Sequence, residues 1–252
     1  MEVQTSRLPR LTSFGRPLHA LVVGGRGGIG GALVAALADD PAVAKVIATT
    51  RGPSAPADTD RVTWRTLELT DEASIIAALS DLEVLDLVIV ATGVLHGDGL
   101  APEKSWRMLE AAALARAFAI NAIGPALVAK HALPRLPRRG RAVFAALSAR
   151  IGSIADNRLG GWHAYRASKA ALNQLVRTFS VELAGTRPDA ICVALHPGTV
   201  ATALSAPFRG RVAAERLFSP EVAAAHLLRV IDGLAPAASG ALLAWDGAVI
   251  PP

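Results

Sequence analysis

The sequence predicts an α/β protein: one domain built on a doubly wound parallel sheet of about seven strands, with helices on both faces. Three observations predict it. Short apolar runs alternate with longer helical stretches along nearly the whole chain. Those runs are almost continuously apolar, as strands covered on both faces require. A glycine-rich turn joins the first run to the first helix, the connection on which this kind of sheet binds nucleotides.

Residues 1–17 carry Glu2, Arg7, Arg10 and Arg16 with Pro9 and Pro17. They lack the apolar stretch of a secretory signal and read as a loose extension. Leu18–Val23 is the first strand. The turn over residues 24–31 leads into a helix over Ala32–Ala38, ended by Asp39-Asp40-Pro41. Val43–Thr49 and Val62–Leu67 are the second and third strands. Thr70-Asp71-Glu72 caps a helix that carries Ile75, Ile76 and Leu79. Leu85–Ala91 is the fourth strand. Leu109–Leu136 reads as one long helix and Ala142–Leu147 as the fifth strand. His163–Leu183 is helical, with Leu172, Leu175, Val176, Phe179 and Leu183 on one stripe. Ala190–Leu195 is the sixth strand, Pro220–Leu234 a helix opened by its proline, and Ala241–Trp245 a last short strand. No repeat or linker divides residues 18–252.

Composition narrows the function. Of the 252 residues, 52% are hydrophobic and 19% charged, which excludes global disorder. No apolar run reads as long and charge-free enough to span a bilayer. The one cysteine, Cys192, sits in the apolar run Ile191–Leu195. It excludes an internal disulfide and a cysteine zinc site, and fits a cytoplasmic protein. The net charge is +5, but the basic residues are spread and cluster only over 135–141. With 4% aromatics to stack on bases, nucleic-acid binding is the weaker reading.

The glycine turn is Gly24-Gly25-Arg26-Gly27-Gly28-Ile29-Gly30. Glycines let the backbone turn tightly and approach a pyrophosphate, while the helix behind offers free N–H groups. The second strand ends Ala48-Thr49-Thr50-Arg51, with no acid to hold a ribose 2′-hydroxyl. Arg51 stands where a guanidinium pairs with a 2′-phosphate, and Arg26 approaches the same phosphate. The cofactor expected is therefore NADP(H).

Tyr165 and Lys169 lie four residues apart on a helix and share a face. A phenol titrates near pH 10, and a neighbouring ammonium pulls that value down toward working range. Tyr165 is the only tyrosine in the chain. Asn121 precedes Pro125, which has no N–H, so the Asn121 carbonyl loses its helical partner. A carbonyl freed in this way holds an ordered water.

Glycines at 24, 28 and 30, with Tyr165-x-x-x-Lys169 after the fifth strand, resemble the short-chain dehydrogenase/reductase family and its Rossmann-type domain. The resemblance runs from about Leu18 to the C-terminus, with Val23 where the family has threonine. Val94-Leu95-His96-Gly97, residues 160–166 and Trp245-Asp246-Gly247 resemble its C-factor-like branch, which includes sniffer-type carbonyl reductases.

The resemblance implies hydride transfer between NADP(H) and a small carbonyl or alcohol. It makes Tyr165 the acid/base, Lys169 the ligand of the nicotinamide ribose, and Asn121 part of a water relay. It asks for a carbonyl-polarising serine after the fifth strand. Aligning Gly152 with the family's glycine puts Ala149 at that position, which leaves Ser148 as the candidate and Ser153 as its substitute. It further implies cofactor contacts from Ala91-Thr92-Gly93, where the family carries asparagines, and from Glu68 and Leu69 near the adenine. Pro197, Gly198, Val200 and Thr202 hold the nicotinamide amide, and His196 is a packed strand end. Leu95, Trp162 and a mobile lid over 203–218 line the substrate pocket. The helices 109–136 and 163–183 imply a homodimer or homotetramer. The departures at Ala149 and Ala91 leave open a signalling or regulatory homologue that binds cofactor and turns over little.

Overall fold

In the computed structural model, which describes residues 10–52, 55–97, 99–211, 213 and 216–252, the predicted sheet is present. Its strands are β1 (Leu18–Val23), β2 (Val43–Thr50), β3 (Val62–Thr66), β4 (Leu87–Val90), β5 (Ala142–Leu147), β6 (Ala190–His196), β9 (Leu242–Ala244) and β10 (Val249–Ile250). The order is β10-β9-β6-β5-β4-β1-β2-β3. All neighbours pair in parallel except β10 with β9. That antiparallel edge strand makes eight where about seven were expected. A separate parallel pair, β7 (Thr199–Val200) and β8 (Leu217–Phe218), lies beyond the end of β6.

Central strands are buried on both faces, so two cores form. One holds Val22, Ile89, Val143 and Leu195 under helices α1 (Gly28–Asp39) and α6 (Pro220–Gly233). The other holds Val23, Val88, Phe144 and Cys192 under α2 (Glu72–Leu79), α4 (Gly124–Ala132) and α5 (His163–Thr186). Asp71 caps α2, accepting from Ala73 N at 3.0 Å, as the sequence predicts.

Three expectations need correction. First, helix α1 begins at Gly28, inside the glycine turn rather than after it. Second, the expected long helical stretch is present over 111–135, but it is not one regular α-helix. A helix α3 (Ala111–Phe118) leads into a π-helical stretch over Ala119–Ile123, then α4 and a 3₁₀ turn at Leu133–Arg135. Pro125 and Pro134 lack the N–H that a regular helix needs there. Taken together, 111–135 is long and apolar enough by length and composition to cross a membrane, contrary to expectation. It lies in this structure as a helical layer, with Val128, Ala129 and Ala132 buried against the sheet.

The third correction concerns the N-terminal extension. Residues 1–9 lie outside the described part, but 10–17 are packed rather than loose. Leu11 and Phe14 are buried in the α1/α6 core. Leu11 N donates to Asp40 Oδ2 at 2.8 Å, and Ser13 N to Asp232 Oδ1 at 2.9 Å. Arg16 pairs with the buried Asp86 at 2.5 Å. Leu11 and Phe14 stand apart among polar residues, with neither a helical nor a strand period to mark them as core.

Candidate active site

Strand order reverses between β4 and β1, since β2 and β3 lie to one side of β1 and β4–β6 to the other. A crevice opens there at the carboxyl ends of the strands. The glycine turn after β1 lines one side. Gly24 has φ +85°, a region that side chains disfavour, and a Cβ on it would lie 2.9 Å from Thr92 Cγ2. A Cβ on Gly30 would lie 2.1 Å from the Gly24 carbonyl oxygen. Thr49 anchors the turn from β2: its Oγ1 accepts from Gly24 N at 3.1 Å and its carbonyl accepts from Gly25 N at 2.8 Å. Sequence reading missed Thr49, because nothing in a strand-end threonine announces which backbone it will support.

Arg51 is exposed at the tip of β2, beside Thr50. Its charge reaches Glu68, whose carboxyl is held below its ordinary range mainly by the Thr70 N–H. Glu68 is tied to that turn, accepting from Thr70 N at 3.1 Å and Thr70 Oγ1 at 2.9 Å. The Leu69 side chain is occupied against α4, where a Cβ on Gly124 would lie 2.3 Å from its Cγ. Arg26 is exposed on the glycine turn. After β4, Ala91 and Thr92 face Gly24, and Thr92 Oγ1 is buried with no hydrogen-bond partner. Gly93 bridges to the catalytic candidates: a Cβ there would lie 3.5 Å from both Asn121 Oδ1 and Lys169 Nζ.

Those candidates converge. Lys169 is buried on α5, and its Nζ donates to the Leu147 carbonyl at 2.8 Å. It also stands 5.9 Å from the Tyr165 ring centroid. Burial pushes the Lys169 ammonium down to about 7 and the Tyr165 phenol up to about 12. The phenol thus moves up through desolvation, opposite to the lowering by its ammonium that the sequence suggested. Asn121 is fully buried in the π-helical stretch. Its Oδ1 accepts from Val94 N at 2.8 Å, and its Nδ2 donates to the Val94 carbonyl at 2.9 Å and Ser168 Oγ at 3.1 Å. The Asn121 side chain thus has a fixed job, holding the Val94 backbone and Ser168. Ser148 lines the cleft, but its Oγ donates to Asn173 Oδ1 at 2.6 Å. Ser153 Oγ accepts from Asp156 N at 3.0 Å and is not part of the cavity wall.

A cavity of about 600 Å³ spreads from Tyr165 outward, lined by Leu95, Ile151, Trp162, Val200 and Phe208 among others. Residues 203–211 fold over it. Phe208 packs on Trp162 at 4.8 Å between ring centroids and on His96 at 5.7 Å. His96 Nε2 lies 3.2 Å from the Ala203 carbonyl and 3.1 Å from the Leu204 carbonyl. Trp162 holds a left-handed backbone, φ +53°, and its N–H donates to the Glu103 carbonyl at 2.6 Å. The buried Glu103 carboxylate accepts from Ala164 N at 3.2 Å and so caps α5, a role the sequence did not reveal. Pro197, Gly198, Val200 and Thr202 line the inner wall. A Cβ on Gly28 would lie 2.6 Å from Thr202 Cγ2, so this segment crosses directly over the glycine turn. His196 burial pushes its imidazole down to about 4, in keeping with a packed strand end.

A crevice at the strand crossover, floored by glycines that admit no Cβ, defines a dinucleotide-binding fold of the oxidoreductase type. Residues 18–212 match the model of the short chain dehydrogenase family, and the chain belongs to that family. It is 40% identical over 139 residues to the C-signal protein of Myxococcus xanthus, across 55% of this chain and 78% of that one. It is 34% identical over 172 residues to 1-hydroxy-2-glutathionyl-2-methyl-3-butene dehydrogenase of Rhodococcus sp. (strain AD45), across 68% and 70%. The solved structure of NADPH-bound carbonyl reductase from chicken fatty liver superposes with a TM-score of 0.79 and 28% identity, across 94% of this chain and 99% of that one. The expected resemblance to the branch of C-factor and carbonyl reductases is borne out.

Proposed function

We propose that this protein is an NADP(H)-dependent carbonyl reductase. The observation that carries the reading is the convergence of Tyr165, Lys169 and Asn121 on one crevice beside the glycine turn. The residues present fit the cofactor. The Gly24–Gly30 floor admits a pyrophosphate where a side chain would clash. Thr92, beside Gly24, carries a buried Oγ1 without a hydrogen-bond partner, an unmet hydroxyl next to the cofactor floor. Arg51 and Arg26, both exposed at this end of the sheet, would hold a 2′-phosphate, with no acid at the end of β2 to repel it. Similar solved structures, one with NADPH and one with NADP bound, support the same choice.

Bound NADPH supplies the hydride. Tyr165 holds the proton that the carbonyl oxygen takes as the hydride arrives, giving an alcohol. A phenol pushed up to about 12 stays protonated at neutral pH, which suits reduction. Lys169 orients the ribose, and Asn121 fixes the Val94 backbone at the cleft edge. The apolar wall of Leu95, Trp162 and Phe208 favours a bulky apolar substrate. The buried thiol of Cys192 fits a cytoplasmic setting, and the half-exposed Ile123 and Val181 fit a homodimer or homotetramer. One observation favours a second reading, a cofactor-binding signal protein: Ala149 faces the cavity where the family places a hydroxyl.

Titration with NADPH and NADH, then turnover on a carbonyl panel with Tyr165→Phe alongside, tests this. NADPH binding with turnover lost in the variant supports the reductase. Binding without turnover supports the signalling reading, and no binding overturns both.

A further inference from the structure

Three contacts at the Lys169–Asn173 turn of α5 help to fasten the end of β5 and the 3₁₀ turn after it. Ser148 Oγ donates to Asn173 Oδ1 at 2.6 Å. Asn173 Nδ2 donates to the Gly152 carbonyl at 3.4 Å. Lys169 Nζ donates to the Leu147 carbonyl at 2.8 Å. Asn173 lies one helical turn after Lys169, so both side chains leave the same face of α5. Gly152 closes the joint, since a Cβ there would lie 2.7 Å from Lys169 Cβ.

A serine hydroxyl carries a single proton. Polarising a substrate carbonyl requires donating it, and Ser148 donates to Asn173 instead. The Gly152 carbonyl fixes the direction of that bond. Turning the Asn173 amide over would set Oδ1 against the Gly152 oxygen, two acceptors facing each other. Ala149 brings only a methyl group to the cavity, and the Ser153 hydroxyl is outside it.

We propose that Ser148 is a positioning residue: with Asn173 it staples β5 to α5 and so sets the Leu147 carbonyl that holds Lys169, leaving Tyr165 to polarise the carbonyl without help from a serine. The second half rests on the reductase reading; the staple does not. A missing donor of this kind is worth roughly 10²–10³ in rate. The site then depends more steeply on the electron demand of the substrate's own substituents.

The first measurement needs no turnover. In the full chain labelled with ¹³C-lysine, the Lys169 resonance, assigned by its loss in Lys169→Arg, is titrated. Ser148→Ala and Asn173→Ala should each lower its pKa by half a unit or more, the double variant no further, and Ser148→Thr should restore it. Melting curves confirm that each variant is folded. An unchanged Lys169 titration in folded Ser148→Ala overturns the staple.

The second measurement is kcat/KM with NADPH across para-substituted acetophenones. Ser148→Ala should lower every member by a similar factor of tenfold or less. Ala149→Ser should raise the electron-rich members tenfold or more and flatten the substituent dependence. A hundredfold loss in Ser148→Ala confined to electron-rich ketones would overturn the proposal. If Lys169 responds but the wild type reduces no carbonyl, the reductase reading fails and the staple stands.

Discussion

Tyr165 and Lys169 are neighbours on one helix face, yet burial drives them in opposite directions, the phenol up to about 12 and the ammonium down to about 7. Between those values the phenol keeps its proton while the lysine loses its charge. Carbonyl reduction needs the phenol's proton and the lysine's charge, and only the first survives above about 7. We therefore predict that kcat/KM for reduction is level in mild acid and falls as pH rises through about 7. Lys169→Arg should move that fall several units alkaline, because a guanidinium stays charged. A profile rising with pH would assign the limiting ionisation elsewhere. Arg51 carries the second prediction at this scale. A charge-assisted bond to a 2′-phosphate is worth about 1.5–3 kcal/mol. Arg51→Ala should weaken NADPH binding about 10- to 100-fold and leave NADH binding unchanged, read by fluorescence titration. Equal losses for both cofactors would show that Arg51 supports the loop and not the phosphate.

At the scale of the element, the glycine turn works because its residues approach one another too closely for side chains. Gly30→Ala would bring Cβ 2.1 Å from a backbone oxygen that cannot yield, so β1 and α1 must separate. Gly28→Ala would meet the end of the Thr202 side chain at 2.6 Å, which can rotate away. Gly30→Ala should fail to give a folded, NADPH-binding protein. Gly28→Ala should fold and bind about tenfold more weakly, with Thr202→Ser restoring part of the loss. Equal behaviour of the two would mean that crowding does not decide the turn. These contrasts also show what the chain makes legible. β1 and β5 begin and end where the apolar runs do, because buried parallel strands are marked by little else. The Tyr165–Lys169 pair is legible because four residues make one helical turn. The π-helical stretch is half legible: Pro125 forecasts a break, but not that Asn121 would reach Val94. Glu103 is illegible, since capping α5 from 61 residues away depends wholly on tertiary placement. Ser148 was legible as a residue and not as a role, because the strand pattern cannot tell which way its hydroxyl points.

For the whole molecule, function and stability are set against each other across one sheet. The amino ends of the strands carry buried carboxylates with a donor on each oxygen: Asp40 accepts from Leu11 and Ala42, and Asp86 from Arg16 and His19. The carboxyl ends carry a buried lysine, Lys169, whose Nζ donates to the Leu147 carbonyl at 2.8 Å. Such a group costs folding energy while it stays charged. Its folded value of about 7 lies below the ordinary 10.5, so between the two the unfolded chain holds a proton that the folded chain does not. Stability attributable to Lys169 therefore rises with pH over that range, and the penalty is complete below about pH 7. Lys169→Met removes the charge and keeps most of the stem. It leaves the Leu147 carbonyl without its donor, at about 1–3 kcal/mol, which offsets part of the gain. A domain of this size shifts by about 2–4 °C per kcal/mol. Lys169→Met should thus be inactive yet melt several degrees higher at pH 6, with the gain shrinking toward pH 9. If the variant melts lower at both pH values, the carbonyl bond and the packing of the lysine stem outweigh charge burial. Lys169 would then stabilise the fold as well as serve its chemistry.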